Sequence, residues 1–464
     1  MVMIYQISST ADHLYIDGDA KQSLKFDADG FFKALLTLPS YRCLDLLRIA
    51  AGIYAVDRIS KRKKRRDNED GIRQLTLNFE VHDVAFWMQS DIKRLLLEIL
   101  TFLTDDDWFF EFKQLCRASG DLGHQDFLDL PRPFKPRIAA LYSGGLDSAV
   151  GLANRLLDGG SDYLLVTVGH QSGMHRRVKK QLTQLRSLIK VPQELPINLL
   201  HSTLTTSLAG GKAKRMRQQE RTQRSRTFLF CSCAVIAAKA YDVEVVEMFE
   251  NGVGAINLPL MSGMLGGGLS TRGAHPTFLR LMSELASRVT ERPMRFILPF
   301  RSKTKAEMLQ PLQNIEGMAQ WVQESRSCVH TALRQTGKTH CGHCPACIER
   351  RQAFSCAGIE EHLDVYQTDV LTESPLEQDD ADYLHLYKSE ALKWLDGEEN
   401  AWQRMTNHLR LTDVPSDSDS EISESQSRHS REVLQTFGPL LSVGSKLETA
   451  SIDKQFVVKS EVMP

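Results

Sequence analysis

Arg137-Ile-Ala-Ala-Leu-Tyr-Ser-Gly-Gly-Leu-Asp-Ser-Ala-Val150 is the stretch that decides the fold of this chain. Ile138 to Tyr142 is a short apolar run of the kind that forms a buried parallel strand. Ala149 to Leu157 spaces its apolar residues as a helix does. Between them stands Ser143-Gly144-Gly145-Leu146-Asp147-Ser148. A strand, a tight glycine turn and a helix N-terminus together make an anion site. The glycines let the backbone approach a ligand closely, and the first-turn N–H groups point at it. Ser143 and Ser148 add hydroxyl donors. The carboxylate of Asp147 suits a phosphate cradle when a cation such as Mg2+ lies between the two. No lysine closes the loop, so this is not the Gly-x-x-x-x-Gly-Lys-Ser/Thr phosphate loop. The plain alternative is a glycine turn that binds nothing.

Downstream, Tyr163 to Val168, Leu195 to Leu200, Val243 to Phe249 and Arg295 to Phe300 read as strands. His175 to Ile189 and Arg226 to Ala240 between them have helical patterns. Such alternation predicts an α/β fold: a parallel sheet with helices on both faces. Ligands bind beyond the carboxyl ends of the strands in these sheets. The loops Ser143 to Ser148, Gly169 to His175 and Glu250 to Gly254 all fall there.

Upstream, residues 1–135 predict an N-terminal α+β region. Leu14 to Ile16, Ser23 to Phe26, Gln74 to Val81 and the stretch from Asp105 to Phe112 carry strand signals. Leu44 to Val56 is expected as an amphipathic helix and Ile92 to Phe102 as another. The basic run Lys61 to Arg66 reads as a solvated loop or as a contact for nucleic acid or an acidic partner. Pro131-Arg-Pro-Phe-Lys-Pro136 breaks any helix or central strand and marks a boundary. The α/β core then spans 137–360 and a helical extension 361–411, where Trp394 and Trp402 offer packing surface. Residues 412–464 open with the acidic, serine-rich stretch Asp413 to Ser427, which carries little apolar surface. They are expected to be largely disordered.

A hydrophobic share of 42% with 25% charged residues is that of a soluble globular chain. The net charge of -1 gives no overall attraction to nucleic acid or membrane. No apolar run reaches the ~18 residues of a membrane span. Met1 to Gln6 lacks the basic and apolar segments of a signal peptide, so the cytoplasm is the expected location. Thiols stay reduced there, and three of the 9 cysteines crowd into Cys341, Cys344 and Cys347 at C-x2-C-x2-C spacing. A tetrahedral thiolate site needs a fourth ligand, and Cys328 upstream supplies it. Four thiolates leave no open position, so Zn2+ bound here would be structural. His343 competes as a ligand, and a three-cysteine iron–sulfur cluster is the other metal reading. Cys43, Cys116, Cys231, Cys233 and Cys356 read as core residues.

Ser-Gly-Gly-x-Asp-Ser resembles the PP-loop of the N-type ATP pyrophosphatases, which adenylate a substrate and release pyrophosphate. With Ser327-Cys328 and Cys341-Gly342-x-Cys344-x-x-Cys347-x-x-Arg350 downstream, the chain resembles the QueC (7-cyano-7-deazaguanine synthase) family over about 137–360. Gly169, Gln171 and His175 are similar to that family's Gly-Gln-x-His, and Lys305-Ala-Glu-Met308 to its Lys-x-x-Ile helix. The resemblance implies ATP bound through Ser143, Gly144, Gly145, Leu146, Asp147, Ser148, Gly169, His175, Arg226 and Lys305. Ser143, Asp147 and Ser148 would carry catalysis, with Mg2+ and Zn2+ as cofactors. In that family a 7-deazaguanine carboxylate is adenylated, ammonia gives an amide, and a second ATP-dependent step gives the nitrile.

The family's Arg-Asn stands here as Arg226-Thr227, and its Asp-Cys-Arg substrate motif is replaced by Ser270 to Pro276. The long flanks are similar to those of the QatC-type proteins of Qat antiphage systems. These are encoded beside an ATPase, a TatD-type DNase and a small Qat protein, which that likeness implies as partners. Two other readings are a PP-loop tRNA-thiolating enzyme and a nucleotide-binding assembly subunit without turnover. The basic stretch Lys212 to Arg226 either folds over a triphosphate or is a solvated helical face. His275 is a candidate for the substrate pocket, although a lone histidine is more often structural.

Overall fold

The computed structural model describes residues 2–9, 13–17, 19–26, 28–36, 39–62, 71–115, 135–159, 162–169, 174–189, 198–208, 220, 222–258, 271–329, 337–371, 378–399 and 416–438. Its first region contains β1 (Val2–Ser9), β2 (His13–Ile16), β3 (Asp19–Phe26), α1 (Ala28–Leu35), α2 (Tyr41–Ile59), β4 (Gln74–Val81), α3 (Val84–Trp87), α4 (Ser90–Thr104) and β5 (Asp107–Gln114). The second contains β6 (Ile138–Leu141), α5 (Leu146–Leu157), β7 (Asp162–Gly169), α6 (Met174–Leu188), β8 (Asn198–Leu208), α7 (Arg226–Ala240), β9 (Val245–Met248), α8 (Gly252–Ile256), α9 (Pro276–Thr290) and β10 (Arg295–Ile297). It continues with α10 (Lys305–Leu309), α11 (Met318–Gln323), α12 (Pro345–Cys356), α13 (Gln378–Leu395) and α14 (Ser416–Phe437).

The strands order as β10-β9-β6-β7-β8-β3-β2-β1-β4-β5. The segment β10 to β8 is parallel throughout. β3 joins β8 antiparallel, so the sheet continues without a break into the N-terminal region. The alternation of side chains builds two layers. Ala139, Leu164 and Val166 enter one core with α7 and α9, while Ala140, Tyr163 and Leu165 enter another with α5, α10 and α12. This is the expected α/β sheet with helices on both faces, flanked by an α+β region and C-terminal helices. Among the described residues, no helix is long and apolar enough to cross a membrane.

Several local expectations change. β1 carries no strong sequence signal and is fixed by pairing with β2 and β4. The strand expected at 195–200 is β8, which runs on to Leu208. α2 is not amphipathic: it is buried on every side because α7, α9 and the sheet enclose it. Its buried polar groups are paired accordingly. Asp57 accepts from Ser225 N (3.0 Å) and Ser225 Oγ (2.8 Å), and Arg73 binds both Asp57 and Asp106 at 2.6 Å. Arg62, one of the basic run, is neither solvated nor a partner contact. It is buried in a two-pronged bond to Asp106 at 2.7 and 2.6 Å. Lys63 to Arg66, Pro131 to Phe134, Gln171, Lys212 to Gln219, Trp402 and residues 439–464 lie outside the described residues.

The stretch expected to be disordered is, from Ser416, helix α14. It docks on α8, α12 and α13. Val433 and Phe437 pack with Ile348, Val370, Tyr387 and Ala391. Ile422 packs with Ile256 and Trp394. Arg428 pairs with Glu307 at 2.6 Å, and Glu432 receives Thr304 Oγ1 (2.6 Å) and Gln352 Nε2 (2.7 Å). Burial lifts the Glu432 carboxyl to about 7. A raised folded value favours the protonated form, so this stabilisation is complete below the ordinary carboxyl range and is lost as pH rises through about 7. Amide exchange of 416–437, corrected for intrinsic rate, should therefore be faster at about pH 8.5 than at about pH 6. Glu432→Gln should remove that difference, and an unchanged pH dependence in the variant would assign it to another group.

Candidate active site and metal centre

β6 lies between β7 and β9, and the chain leaves it in one direction and returns on the other side. The carboxyl ends of β6 and β9 therefore flank a switch point, where doubly wound sheets bind ligands. Ser143 to Ser148 occupies it. Gly144 has φ of +72°, a left-handed conformation that glycine adopts without strain. Ser143 Oγ accepts from Gly145 N (3.2 Å), and Ser148 Oγ donates to the Gly145 carbonyl (3.0 Å). The two hydroxyl oxygens stand 3.2 Å apart. Gly145 is the N-cap of α5 and has no capping side chain, which leaves first-turn N–H groups for an anion. Leu146 is buried in the core below, so its side chain anchors the turn. The helix is fixed by Asn154 donating to the Met308 carbonyl (2.8 Å) and by Arg155 on buried Glu247 (2.8 Å).

Asp147 heads a charged cluster. Its Oδ1 accepts from Asn251 Nδ2 (3.1 Å), and its Oδ2 lies 3.3 Å from Lys305 Nζ. Lys305 also meets Glu349 Oε2 at 3.0 Å, and Asn251 meets Glu250 Oε1 at 3.0 Å. Burial and the charge of Asp147 push the Glu250 carboxyl up, whereas Asp147 and Glu349 outweigh burial and raise Lys305. Lys305 is thus held as an ammonium between the carboxylates of Asp147 and Glu349. The sequence pointed to the Glu250 loop, but not to Asn251 or Glu349 as neighbours of Asp147. Those depend on contacts between distant segments.

Gly169 and His175 meet at the end of β7, where the imidazole packs on the glycine. Arg226 opens α7, its guanidinium 5.6 Å from the Phe230 ring centre, with Tyr54 and Arg58 as electrostatic neighbours. It is not among the residues gathered at Asp147. His275 is not a pocket residue: it is fully buried, its Nδ1 caps α9 at Thr277 N (3.1 Å), and its ring packs against Phe102. Beside the loop, Ser143, Gly144, Arg177, Lys180, Gln181 and Arg326 line a cleft of about 170 Å³. Arg326 was not a sequence candidate. Its N–H donates to the Gly144 carbonyl (3.4 Å), placing this segment against the loop.

Cys328, Cys341, Cys344 and Cys347 bring their Sγ atoms within 4.8 Å of one another, and His343 is not in the group. None is in a disulfide. A tetrahedral ion with zinc–thiolate bonds of ~2.3 Å separates its sulfurs by about 3.8 Å. Cys341 Sγ and Cys347 Sγ are 3.8 Å apart. Backbone N–H groups reach two sulfurs: Cys341 N to Cys328 Sγ (3.4 Å) and Cys344 N to Cys341 Sγ (3.3 Å). Gly342 has φ of +96°, and a Cβ there would lie 1.5 Å from the Thr368 carbonyl oxygen, so the knuckle admits no side chain. The donor set fits Zn2+. Buried Arg350 ties the knuckle to the loop. It donates to Glu361 (2.8 Å), the Ser325 carbonyl (3.0 Å) and the Gln323 carbonyl (3.1 Å), and so fixes the segment leading into Arg326 and Cys328. Cys43, Cys231 and Cys233 are buried, as core residues should be; Cys356 is half-buried, and Cys116 lies outside the described residues.

Residues 273–358 match the family model described as queuosine biosynthesis protein QueC. The chain is 23% identical over 247 residues to a 7-cyano-7-deazaguanine synthase of Sulfolobus acidocaldarius, covering 50% of this chain and 48% of that protein. It is 22% identical over 248 residues to the enzyme of the same name from Saccharolobus solfataricus, covering 50% and 47%. The chain spans about half the length of the curated relatives it matches. It therefore carries a QueC family domain and is weakly homologous to 7-cyano-7-deazaguanine synthases.

Proposed function

We propose that this protein is an ATP-dependent enzyme that adenylates the carboxylate of a 7-deazaguanine-type small molecule and releases pyrophosphate. The observation that supports it most is the uncapped N-terminus of α5 at Gly145, set against the cysteine knuckle through Arg326 and Gly144. A carboxylate is a poor electrophile. Attack of its oxygen on the α-phosphorus breaks the α–β P–O bond, expels pyrophosphate and leaves an acyl adenylate. An amine such as ammonia then adds to the acyl carbon, AMP departs with the bonding pair, and loss of a proton gives the amide. A further adenylation of the amide oxygen, followed by loss of AMP and protons, gives the nitrile.

First-turn N–H groups, Ser143 and Ser148 hold the departing pyrophosphate by donors aimed at developing charge. Lys305 supplies a partly buried cation beside Asp147. Asp147 and Glu250 are oxygen donors of the kind Mg2+ takes, and the ion would neutralise phosphate charge there. Gly169 and His175, which meet at the end of β7, would border the nucleotide, whereas Arg226 stands apart beside Phe230, Tyr54 and Arg58. The long flanks support service in a Qat-type antiphage system, with delivery of the activated group to ammonia or to an operon-encoded partner in the cytoplasm.

The test is incubation of the full chain with ATP, Mg2+, ammonia and 7-deazaguanine carboxylate, with AMP, pyrophosphate and product mass followed together. Stoichiometric AMP and pyrophosphate that require the carboxylate are expected. AMP with a different carboxylate only would remove the deazaguanine part, and no carboxylate-dependent AMP would remove the adenylation reading.

A further inference from the structure

We propose that Tyr387, on the first of the two C-terminal helices, is a positioning residue for Lys305: its hydroxyl holds Glu349, and Glu349 holds the ammonium against Asp147. This inference rests on the proposed function for its kinetic readout and on geometry for everything else. Tyr387 lies beyond the stretch that matches the QueC model, on a helix that belongs to the C-terminal extension.

The contacts form one chain. The Tyr387 hydroxyl donates to Glu349 Oε1 at 2.8 Å. The other oxygen of that carboxylate, Oε2, accepts from Lys305 Nζ at 3.0 Å. Lys305 Nζ in turn stands 3.3 Å from Asp147 Oδ2. A lysine side chain is a point charge on a flexible stem, with no planar fork to fix its direction. Left to itself among Asp147, Glu250 and Glu349, the ammonium has several placements of similar energy. Two features of the C-terminal pair remove that freedom. Tyr387 is buried with Ile348, Ala391, Val433 and Phe437, so its ring is fixed and its hydroxyl fixes the Glu349 carboxylate. Glu432 on α14 receives the hydroxyl of Thr304, which is the N-cap of α10, the short helix that begins at Lys305. The helix and the side chain of Lys305 are thus both held from the C-terminal pair.

A phenylalanine at 387 keeps the packing and removes one hydroxyl. The free carboxylate oxygen of Glu349 then lacks its donor, and the ammonium loses a fixed partner. The full chain is treated with acetic anhydride without nucleotide, and acetylation of Lys305 is followed by mass spectrometry beside that of exposed Lys179. Tyr387→Phe should speed Lys305 labelling about tenfold, the size of one charge-assisted hydrogen bond, and leave Lys179 unchanged. In pyrophosphate release, kcat should fall about tenfold with KM for ATP within about twofold. Glu349→Gln should fall at least as far, and Tyr387→Phe/Glu349→Gln no further than Glu349→Gln alone.

Unchanged Lys305 labelling in Tyr387→Phe, or additive losses in the double variant, would overturn the proposal. Val433→Ala loosens the same helix pair without touching Glu349. Labelling of Lys305 in that variant as fast as in Tyr387→Phe would also overturn it, because loosening alone would then suffice. Labelling needs no substrate. A wild-type chain that protects Lys305 in a Tyr387-dependent way but releases no pyrophosphate would overturn the proposed function and leave the positioning role standing.

Discussion

Asp147→Asn is expected to reduce pyrophosphate release by about 10²–10³-fold or more while the protein stays folded. Asparagine preserves the size of the side chain and can still meet Asn251. It removes the charge in the first turn of α5 that pairs with Lys305 at 3.3 Å and that, in the proposed function, would bind Mg2+. The phosphate oxygens would then face Glu250 and Glu349 with less positive charge between them. Stability should change little, because Glu349 still holds Lys305 at 3.0 Å and the Asp147 side chain is 21% exposed. The measurement is AMP formation under saturating ATP, beside a thermal melt. A variant as fast as wild type would dismiss Asp147 from the chemistry. A variant that is slow only because it melts would move its role to folding.

Loss of the metal should have the largest effect on structure. One zinc per chain is expected by metal analysis, and Cys341→Ser should lose it. Structural zinc sites contribute on the order of 10 kcal/mol to the folds they close. Here the ion would tie Cys328 to α12, and Arg350 extends the tie to Ser325 and Gln323. Without it, residues 323–329 and 337–371 should exchange their amides rapidly, and Arg326 should leave Gly144. The proposed ATP binding should weaken as a consequence, because Arg326 is the link to Gly144 in the Ser143 to Ser148 loop. Iron with a visible absorption band would instead establish the iron–sulfur reading. A metal-free chain with slow exchange across 337–371 would show that the knuckle holds by packing alone.

The departures from expectation share a cause. Asp413 to Ser427 reads as disordered by composition, yet α14 lays Ile422, Ser425, His429, Val433 and Phe437 along one face. That spacing is helical, but serine and histidine in the stripe do not register as apolar. Their burial depends on the surfaces offered by α12 and α13. α2 shows the reverse case: its sequence has polar positions such as Asp45, Arg48 and Asp57, and all are buried because partners arrive from elsewhere. Asp45, for example, accepts from the backbone N–H of His82 at 2.9 Å.

By itself the sequence determined the parts whose chemistry is local. Ser143 to Ser148 sets a glycine turn, two hydroxyls and a helix start within one short run, and strand–helix alternation sets the parallel sheet around it. Cysteine spacing determined a metal-type cluster at Cys341, Cys344 and Cys347, because turn geometry lets sulfurs at that spacing converge, and the tertiary structure decided that Cys328 joins them and His343 does not. Only the tertiary structure decided that the N-terminal strands extend the same sheet. Only it decided that Lys305 sits between Asp147 and Glu349, and that Tyr387 stands behind them. Those contacts join segments far apart in the chain, and a charged or hydroxyl side chain carries no local signal of which distant group will satisfy it when it is buried.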